Sequence, residues 1–237
     1  GVNLFRINFS HGNSEEHYEV VEKIRRLSRK NNKVIGILGD LCGPKIRVGD
    51  IVGGGIMLKD NQSITITTKD VVGDDKVISV SYKNLVKDVK IHDRIFFDDG
   101  RIELRVVLKV GSNIMAKVIK GGFLKKNKGV NFPDTKLNVP SLTEKDKSDV
   151  KNCIKWKLDY IALSFVRTGN DIEILKEILK KSRCYIPIIA KIEKPEAITN
   201  INDILEKSDG IMIARGDLGV EMKAQQVPIL QNKLSEK

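Results

Sequence analysis

The sequence predicts an α/β fold in which a parallel sheet is interrupted by an inserted all-β domain. At both ends of the chain, short continuous apolar runs alternate with amphipathic segments of helical period, which is typical of βα units whose sheet is buried on both faces. In the middle, the pattern changes to short alternating segments broken by Gly, Asn and Asp, as in antiparallel β-structure. We therefore predict βα segments at 1–43 and 141–237 that flank a β-rich insertion at 44–140.

The first βα segment is predicted to contain two strands and one helix. Asn3–Ser10 is an apolar run that predicts a strand, and Val34–Asp40 predicts a second, buried strand. Between them, apolar residues recur at helical spacing from 14 to 30, with Ser14 as the expected N-cap and two glutamates in the first turn. This strand–helix–strand order is that of a parallel βα unit.

The last βα segment is predicted to contain three further strands, each preceded by a helix. The helices are expected from Thr143 to about 157, at about 171–181 and at about 195–207. The strands are expected at 158–165, 186–193 and 210–215. Within the insertion, the D-D-G sequence at 98–100 and the K-G-G sequence at 120–122 favour tight hairpins.

Composition excludes several classes of protein. Lys and Arg number 42 against 31 Asp and Glu, a net charge of +11, which favours polyanionic partners. The lysines are spread along the chain and aromatic residues are only 5%, so we predict no nucleic-acid partner. The three cysteines form no C-x-x-C pair, which predicts reduced thiols, a cytoplasmic location and no zinc site. No apolar run approaches the ~18 residues of a membrane span, so no membrane partner is expected.

Three ionisable residues near the C-terminal end of the sequence indicate a site for an anionic substrate and a metal ion. Lys191 and Glu193 are two residues apart, so on a strand they point to the same side. Asp217 follows another apolar run and lies between Gly216 and Leu218. One cation and two hard carboxylates at strand ends suit a Mg²⁺-assisted reaction. The alternative is a simple Lys–Glu salt bridge with a capping Asp.

The first strand carries a second set of polar residues. Arg6, Asn8 and Ser10 alternate, so a cation and two oxygen ligands face one side, and His11 follows them. The guanidinium of Arg6 suits phosphate recognition, although an ordinary ion pair is the alternative. Asp40 ends the second strand, at the edge where βα barrels and open α/β sheets bind ligands.

The insertion adds three basic residues to these candidates. Lys45 and Arg47 form an i, i+2 pair just after the second strand, and Lys128 lies on a loop before Gly129 that could close over phosphates. A charged strand edge and a solvated basic loop are the alternatives.

In order, these motifs resemble those of the pyruvate kinase family over essentially the whole chain. They are R-x-N-F-S-H-G, G-D-x-x-G-P-K-I-R, T-E-K-D, A-L-S-F-V-R, A-K-I-E-K-P-E-A and D-G-I-M-I-A-R-G-D-L-G-V-E. The resemblance implies a partial TIM (β/α)8 barrel, the A domain, with the mobile β-rich B domain inserted after the third barrel strand as a lid. It implies transfer of the phosphoryl group of phosphoenolpyruvate to ADP, which gives pyruvate and ATP in the last step of glycolysis.

The resemblance also implies a role for each matching residue. Arg6 and Lys191 are catalytic: Arg6 grips the phosphoryl group, and Lys191 stabilises charge on that group and on the enolate. The substrate contacts are Arg6, Lys191, and the backbone N–H groups of Gly216 and Asp217. The ligands of Mg²⁺ or Mn²⁺ are Glu193 and Asp217. The residues that contact the nucleotide are Asn8, His11, Arg47 and Lys128.

A monovalent cation site is implied as well. Its K⁺ ligands match Asn8, Ser10, Asp40 and the carbonyl of Leu41, which stands where Thr is usual. Family members that need K⁺ generally carry Glu at the position of Lys45, and those with Lys typically dispense with the ion. A fixed ammonium can replace the charge of the ion, so we predict K⁺-independent activity.

The chain holds only part of what the family resemblance implies. The insertion leaves about 140 of the 237 residues for the barrel, against about 250 in a complete one. We therefore expect a missing N-terminal portion, a homotetramer for the intact enzyme, and poor stability and no activity for this chain alone. The alternatives are a truncated inactive kinase, another Mg²⁺-dependent barrel that handles pyruvate or phosphoenolpyruvate, such as an aldolase, and a basic nucleic-acid-binding module.

Overall fold

The computed structural model describes residues 1–236 and divides into two compact units. The first, called the barrel unit, comprises Gly1–Pro44 and Pro140–Leu218. The second, called the β-rich unit, comprises Lys45–Val139 and the chain from Gly219 onward. The assignment of all of 141–237 to the barrel therefore stays a proposal, and its last residue, Lys237, lies outside the described residues.

The strands and helices are numbered along the chain. Over residues 1–236 the strands are β1 (Leu4–Asn8), β2 (Gly36–Asp40), β3 (Gly55–Leu58), β4 (Ser63–Thr67), β5 (Val77–Ser79), β6 (Arg94–Phe97), β7 (Ile102–Val110), β8 (Asn113–Lys120), β9 (Gly122–Lys125), β10 (Val130–Asn131), β11 (Tyr160–Leu163), β12 (Ile188–Ile192) and β13 (Gly210–Ile213). The helices are α1 (Ser14–Lys30), α2 (Leu85–Asp88), α3 (Glu144–Lys155), α4 (Gly169–Lys181), α5 (Pro195–Thr199), α6 (Ile201–Lys207), α7 (Arg215–Glu221) and α8 (Val227–Ser235). Two short 3-10 turns lie at Val52–Gly54 and Ala224–Gln226.

The barrel unit is built on a five-stranded sheet in the order β1-β2-β11-β12-β13, and all its neighbouring strands are parallel. Helices connect successive strands, so the predicted α/β class is confirmed as a partial (β/α)8 barrel. The strands are apolar and largely buried because helices cover a parallel sheet; Ile161, Ala162 and Leu163 of β11 are fully buried. None of the helices that the structure describes is long and apolar enough to cross a bilayer.

Two helix predictions are corrected, one at its start and one in its middle. The N-cap of α1 is Asn13, not Ser14, because the Asn13 side chain accepts a hydrogen bond from the N–H of Glu16 at 3.0 Å. The single helix expected at about 195–207 is divided into α5 and α6, with Asn200 between them. The other predicted barrel helices are present and differ by a few residues at their ends.

Buried carboxylates hold both ends of the barrel unit where the insertion leaves and re-enters it. Oδ1 of Asp146 accepts from the N–H of Gly43 at 3.0 Å, and its Oδ2 accepts from the N–H and the hydroxyl of Thr143. Asp171 accepts from the hydroxyl of Ser141 at 2.7 Å. Gly43 has a φ of +68°, and a Cβ on it would lie 2.8 Å from the ring of Phe165, so glycine is required there.

The β-rich unit has a largely antiparallel core, in which β4 and β5 form a parallel pair. Its larger sheet has the order β10-β6-β7-β8-β4-β5, and β3 pairs with β9 in a second sheet. Inward-facing apolar residues on alternate positions, such as Ile64 and Ile66 on β4 and Leu104 and Val106 on β7, form a continuous buried cluster. The alternation that predicted an all-β insertion therefore builds this core.

One predicted hairpin is confirmed and the other is wrong. The D-D-G turn joins β6 to β7, and Asp98, Asp99 and Gly100 all have positive φ, as a tight turn requires. The K-G-G sequence does not form a hairpin, because β8 pairs with β4 and β7 whereas β9 pairs with β3. A Cβ on Gly121 would lie 2.2 Å from the carbonyl oxygen of Leu58, so glycine is needed where the chain passes between sheets.

Candidate active site

Charged side chains collect at the carboxyl ends of the barrel strands. The sheet is parallel, so the ends of β1, β2, β11 and β12 lie along one edge. The register pairs Asn8 with Asp40 and Leu163 with Ala190, which places Ser164 and Lys191 at this same edge. Residues separated by more than 150 positions in the sequence therefore meet in one place.

The ammonium of Lys191 is the centre of the site. Its Nζ lies 2.9 Å from Oε1 of Glu193, 3.1 Å from Oδ1 of Asp40 and 2.8 Å from Oγ of Ser164. An ammonium has three hydrogens, so these three acceptors match its donors. Burial alone would lower the pKa of Lys191, but the carboxylates of Glu193 and Asp40 outweigh it, and the pKa is raised. The lysine is therefore held as a cation.

Glu193 is almost wholly buried beside this cation, with 1% of its surface exposed. Its second oxygen, Oε2, accepts a hydrogen bond from the N–H of Phe165 at 2.7 Å. Burial raises the pKa of Glu193, Lys191 opposes that rise, and the nearby carboxylate of Asp217 adds to it. Phe165 itself has a φ of 56°, an uncommon backbone conformation for a bulky residue. The strained backbone thus directs an N–H at the carboxylate.

Asp40 joins the two cations that sequence analysis placed on different strands. It is 2% exposed, and its Oδ2 lies 3.2 Å from Nε of Arg6 while its Oδ1 contacts Lys191. The ion pair considered as the alternative for Arg6 is therefore present. About half of the Arg6 side chain, 53%, stays exposed, so the guanidinium also faces solvent at the sheet edge.

The carboxylates of Glu193 and Asp217 fit a magnesium ion by their chemistry. Both are hard oxygen donors, and the charge of Asp217 contributes to the raised pKa of Glu193. Within residues 1–236 no group of three or more His, Cys, Asp or Glu side chains forms a metal cage. This pair suits Mg²⁺, which is usually bound through one or two carboxylates, with water and substrate phosphates completing its shell.

The candidate ligands of a monovalent cation lie at the joined ends of β1 and β2. Asn8 and Asp40 are register partners, and Oδ1 of Asn8 accepts from the N–H of Ser10 at 3.1 Å. The carbonyl of Leu41 accepts a hydrogen bond from the hydroxyl of Ser164 at 2.6 Å. The structure therefore brings these oxygen atoms to one strand edge.

The other two candidate positions in the barrel unit face solvent. His11 is exposed, and its N–H donates to the carbonyl of Asn8 at 3.3 Å. Gly216 lies in the first turn of α7, where backbone N–H groups lack acceptors within the helix. Apart from its two chain neighbours and the backbone of its own helix, no described residue has an atom within 4 Å of the place that a Cβ on Gly216 would occupy, so this backbone has space for a ligand.

Within the β-rich unit, three basic residues lie around Gly129. Arg47 forms an antiparallel bridge with Gly129, and Cε of Lys45 is 3.4 Å from the position of a Cβ on that glycine. Lys128 precedes it, and its Nζ pairs with Oδ1 of Asp98 at 2.7 Å. Lys128 is therefore not simply a solvated loop lysine, because a largely buried carboxylate holds it.

Two residues of the site were not predicted from the sequence. Ser164 was given no role, and its contact with Lys191 was not anticipated. Phe165 carried no signal at all, since nothing local in the sequence indicates a positive φ for a phenylalanine. A polar residue directly after a buried strand is the signal that could have identified Ser164.

Comparison with known proteins gives consistent matches. The family model described as pyruvate kinase, barrel domain, matches residues 1–237. The pyruvate kinase of Geobacillus stearothermophilus is 43% identical over 240 residues, which cover 100% of this chain and 41% of that protein. The pyruvate kinase of Corynebacterium glutamicum is 41% identical over 233 residues, which cover 98% of this chain and 49% of that protein.

A solved structure matches in the same way. The crystal structure of a pyruvate kinase from Cryptosporidium parvum has a TM-score of 0.93 and 35% identity, and the match covers 100% of this chain and 50% of that chain. The chain thus spans half or less of the length of these relatives.

Proposed function

Since the chain belongs to the pyruvate kinase family, we propose that the protein transfers the phosphoryl group of phosphoenolpyruvate to ADP and releases pyruvate and ATP. The observation that supports this most directly is the ammonium of Lys191, held between the buried carboxylates of Asp40 and Glu193 at the carboxyl edge of a parallel sheet. A fixed cation at such an edge can stabilise negative charge that develops during phosphoryl transfer.

Arg6 and Lys191 are the proposed catalytic residues. The fork of donors on the Arg6 guanidinium matches the oxygens of a phosphoryl group, and its exposed half is available to that group. Lys191 would stabilise the phosphoryl group in transfer and the enolate oxygen that remains. Both cations are paired with Asp40, which holds each in place before substrate arrives and so limits the reorganisation needed in the transition state.

The substrate carboxylate is assigned to the backbone at the start of α7. The N–H groups of Gly216 and Asp217 are in the first helical turn, where amides favour an anion. The open surroundings of Gly216 support this assignment. Substrate binding would then involve the side chains of Arg6 and Lys191 at one end and these amides at the other.

Glu193 and Asp217 are the residues that would hold Mg²⁺ or Mn²⁺. When bound, such an ion neutralises charge on the phosphoryl oxygens and on the substrate. The protein contributes the orientation of Glu193, because Lys191 and the N–H of Phe165 each engage one of its oxygens.

The nucleotide is assigned to Asn8 and His11 on the barrel unit and to Arg47 and Lys128 on the β-rich unit. Arg47 is bridged to Gly129, the residue that follows Lys128, and this proximity supports a joint role in binding phosphates. We also propose that 44–140 is the B domain and acts as a lid that brings these cations to the nucleotide. Lys128 would then share its charge between Asp98 and a phosphate.

The monovalent cation is proposed to be dispensable. Asn8, Ser10, Asp40 and the carbonyl of Leu41 provide the oxygen atoms of a K⁺ site, but Lys45 stands where K⁺-dependent members generally carry Glu. A fixed ammonium can supply the charge that the ion would otherwise provide. On the same family grounds we propose that the intact enzyme is a cytoplasmic homotetramer.

The experiment is a steady-state assay of the protein expressed from its complete reading frame. Pyruvate and ATP formation are measured with phosphoenolpyruvate, ADP and Mg²⁺, first with K⁺ and then with Na⁺ or tetramethylammonium in its place. We expect both products in equal amounts and similar rates with all three cations. Absence of both products would refute the proposed reaction, whereas strong activation by K⁺ would refute only the assignment of Lys45.

A further inference from the structure

We propose that Ser164 is a positioning residue that aims the ammonium of Lys191, and that the carbonyl of Leu41 sets the direction of the Ser164 hydroxyl. The consequence for catalysis rests on the proposed function, because that function gives Lys191 its role. The geometric part depends only on contacts within the barrel unit, among residues that are buried or partly buried.

The hydrogen-bonding capacity of the hydroxyl determines its direction. Oγ of Ser164 lies 2.6 Å from the carbonyl oxygen of Leu41, 2.8 Å from Nζ of Lys191 and 3.4 Å from Oδ1 of Asp40. A hydroxyl has one hydrogen to donate and two lone pairs to accept with, and an ammonium can only donate. The single hydrogen therefore goes to the short contact with Leu41, and a lone pair faces Lys191.

The backbone of Leu41 is itself fixed by the sheet. Its N–H donates to the carbonyl of Ala162 at 3.0 Å, which continues the pairing of β2 with β11. The side chain of Leu41 is buried, with 1% of its surface exposed. A serine hydroxyl that could otherwise rotate is thus held in one direction by a rigid carbonyl.

The contact of Lys191 with the Ser164 hydroxyl matters because the other two acceptors of this ammonium are charged. Without the hydroxyl, the ammonium of Lys191 would be held only by the carboxylates of Asp40 and Glu193, on a side chain with four rotatable bonds. It could then settle closer to either carboxylate and present less of its charge to a substrate. A neutral acceptor fixes the ammonium without neutralising it.

Simple packing is the competing account of Ser164. The residue is 3% exposed, and its Cβ would lie 3.1 Å from a Cβ built on Gly43, so it fills a tight space. A packing role predicts that an enzyme with Ala at position 164 is nearly as active as one with Ser. A positioning role predicts that only residues with a hydroxyl at this position support full activity.

The test compares Ser164→Ala and Ser164→Thr with a matched control, Ser79→Ala, in the protein expressed from its complete reading frame. Ser79 is 5% exposed and lies in the β-rich unit, and its hydroxyl donates a hydrogen bond to the carbonyl of Val71 at 3.1 Å. Its removal therefore also deletes one partly buried hydrogen bond. We expect S164A to lower kcat about 10- to 100-fold, with KM for phosphoenolpyruvate changed less than about twofold. S164T is expected to recover most of kcat, and S79A to match the wild type.

A kcat for S164A within about twofold of the wild type would overturn the proposal. So would an S164T enzyme that melts like the wild type yet is as slow as S164A. Crystal structures of the wild type and S164A test the positioning role separately from the proposed function, because the position of Lys191 can be observed in an inactive protein. A displaced Nζ of Lys191 in S164A supports the positioning role even if the wild type forms no pyruvate, and an unmoved Nζ refutes it.

Discussion

Replacing Asp146 with Ala is expected to destabilise the barrel unit where the β-rich insertion begins and ends. The carboxylate is fully buried and accepts hydrogen bonds from Gly43, directly before the insertion, and from Thr143, shortly after it. One side chain thus joins two stretches of chain about 100 residues apart. Substitution would release both at once.

The size of the destabilisation follows from the hydrogen-bond donors that lose the Asp146 carboxylate as their acceptor. The N–H of Gly43 is buried and would lose its carboxylate, at about 1–3 kcal/mol. Loss of the capping interaction with Thr143 adds about 0.5–2 kcal/mol. We therefore expect Asp146→Ala to lower the free energy of unfolding by roughly 1.5–5 kcal/mol.

Glu16→Ala provides the matched control. Glu16 forms the same kind of capping box at the start of α1, where its side chain accepts from the N–H of Asn13 at 3.1 Å, but it is exposed. Water can replace this bond, so the expected loss is only about 0.5–1 kcal/mol. Urea unfolding followed by circular dichroism measures the free energy of unfolding of both variants. Hydrogen exchange of the Gly43 amide reports directly on the point where the insertion leaves the barrel unit.

Two results together would contradict the role of Asp146 in holding Gly43. One is a loss in Asp146→Ala no larger than in Glu16→Ala. The other is unchanged exchange protection of the Gly43 amide, which would mean that the carboxylate does not hold the outgoing chain.

Two further predictions concern the site and its supporting carboxylates. Lys191→Met is expected to lower kcat for pyruvate formation about 100- to 1,000-fold. Lys176→Met, which removes a half-exposed lysine that pairs with Glu173 on α4, should leave kcat unchanged. A loss below about tenfold for Lys191→Met would contradict the role of that lysine. Burial tends to raise the pKa of Asp171, but hydrogen bonds from Arg167 and Ser141 outweigh it and lower the pKa below its usual 3.8. A lowered folded-state pKa stabilises the protein above the unfolded pKa, and this contribution is lost as the pH falls through the folded pKa. Asp171→Asn should therefore be about 1–3 kcal/mol less stable than the wild type at neutral pH. The difference in stability should shrink below pH 3.8. Urea unfolding measures it, and an equal difference at neutral pH and below pH 3.8 would contradict a lowered pKa of Asp171.

Much of the fold could be predicted because its signals are local. Continuous apolar strands and helical periodicity identified the five barrel strands and most of their helices, and the alternating pattern identified the all-β insertion. The D-D-G turn was also predictable, since positive φ at consecutive Asp and Gly residues is a property of the turn itself. The K-G-G sequence misled because its glycines allow a close approach to Leu58, a residue distant in the sequence.

The sequence by itself determined which residue types stand at the strand ends and which of them share a face. The period of a β-strand is two, so Lys191 and Glu193 had to point the same way. Only the tertiary structure decided that Asp40 lies between Lys191 and Arg6, that Ser164 contacts the same ammonium, and that Asp146 holds Gly43. These contacts depend on the order and register of parallel strands joined by long crossovers, which no local pattern encodes.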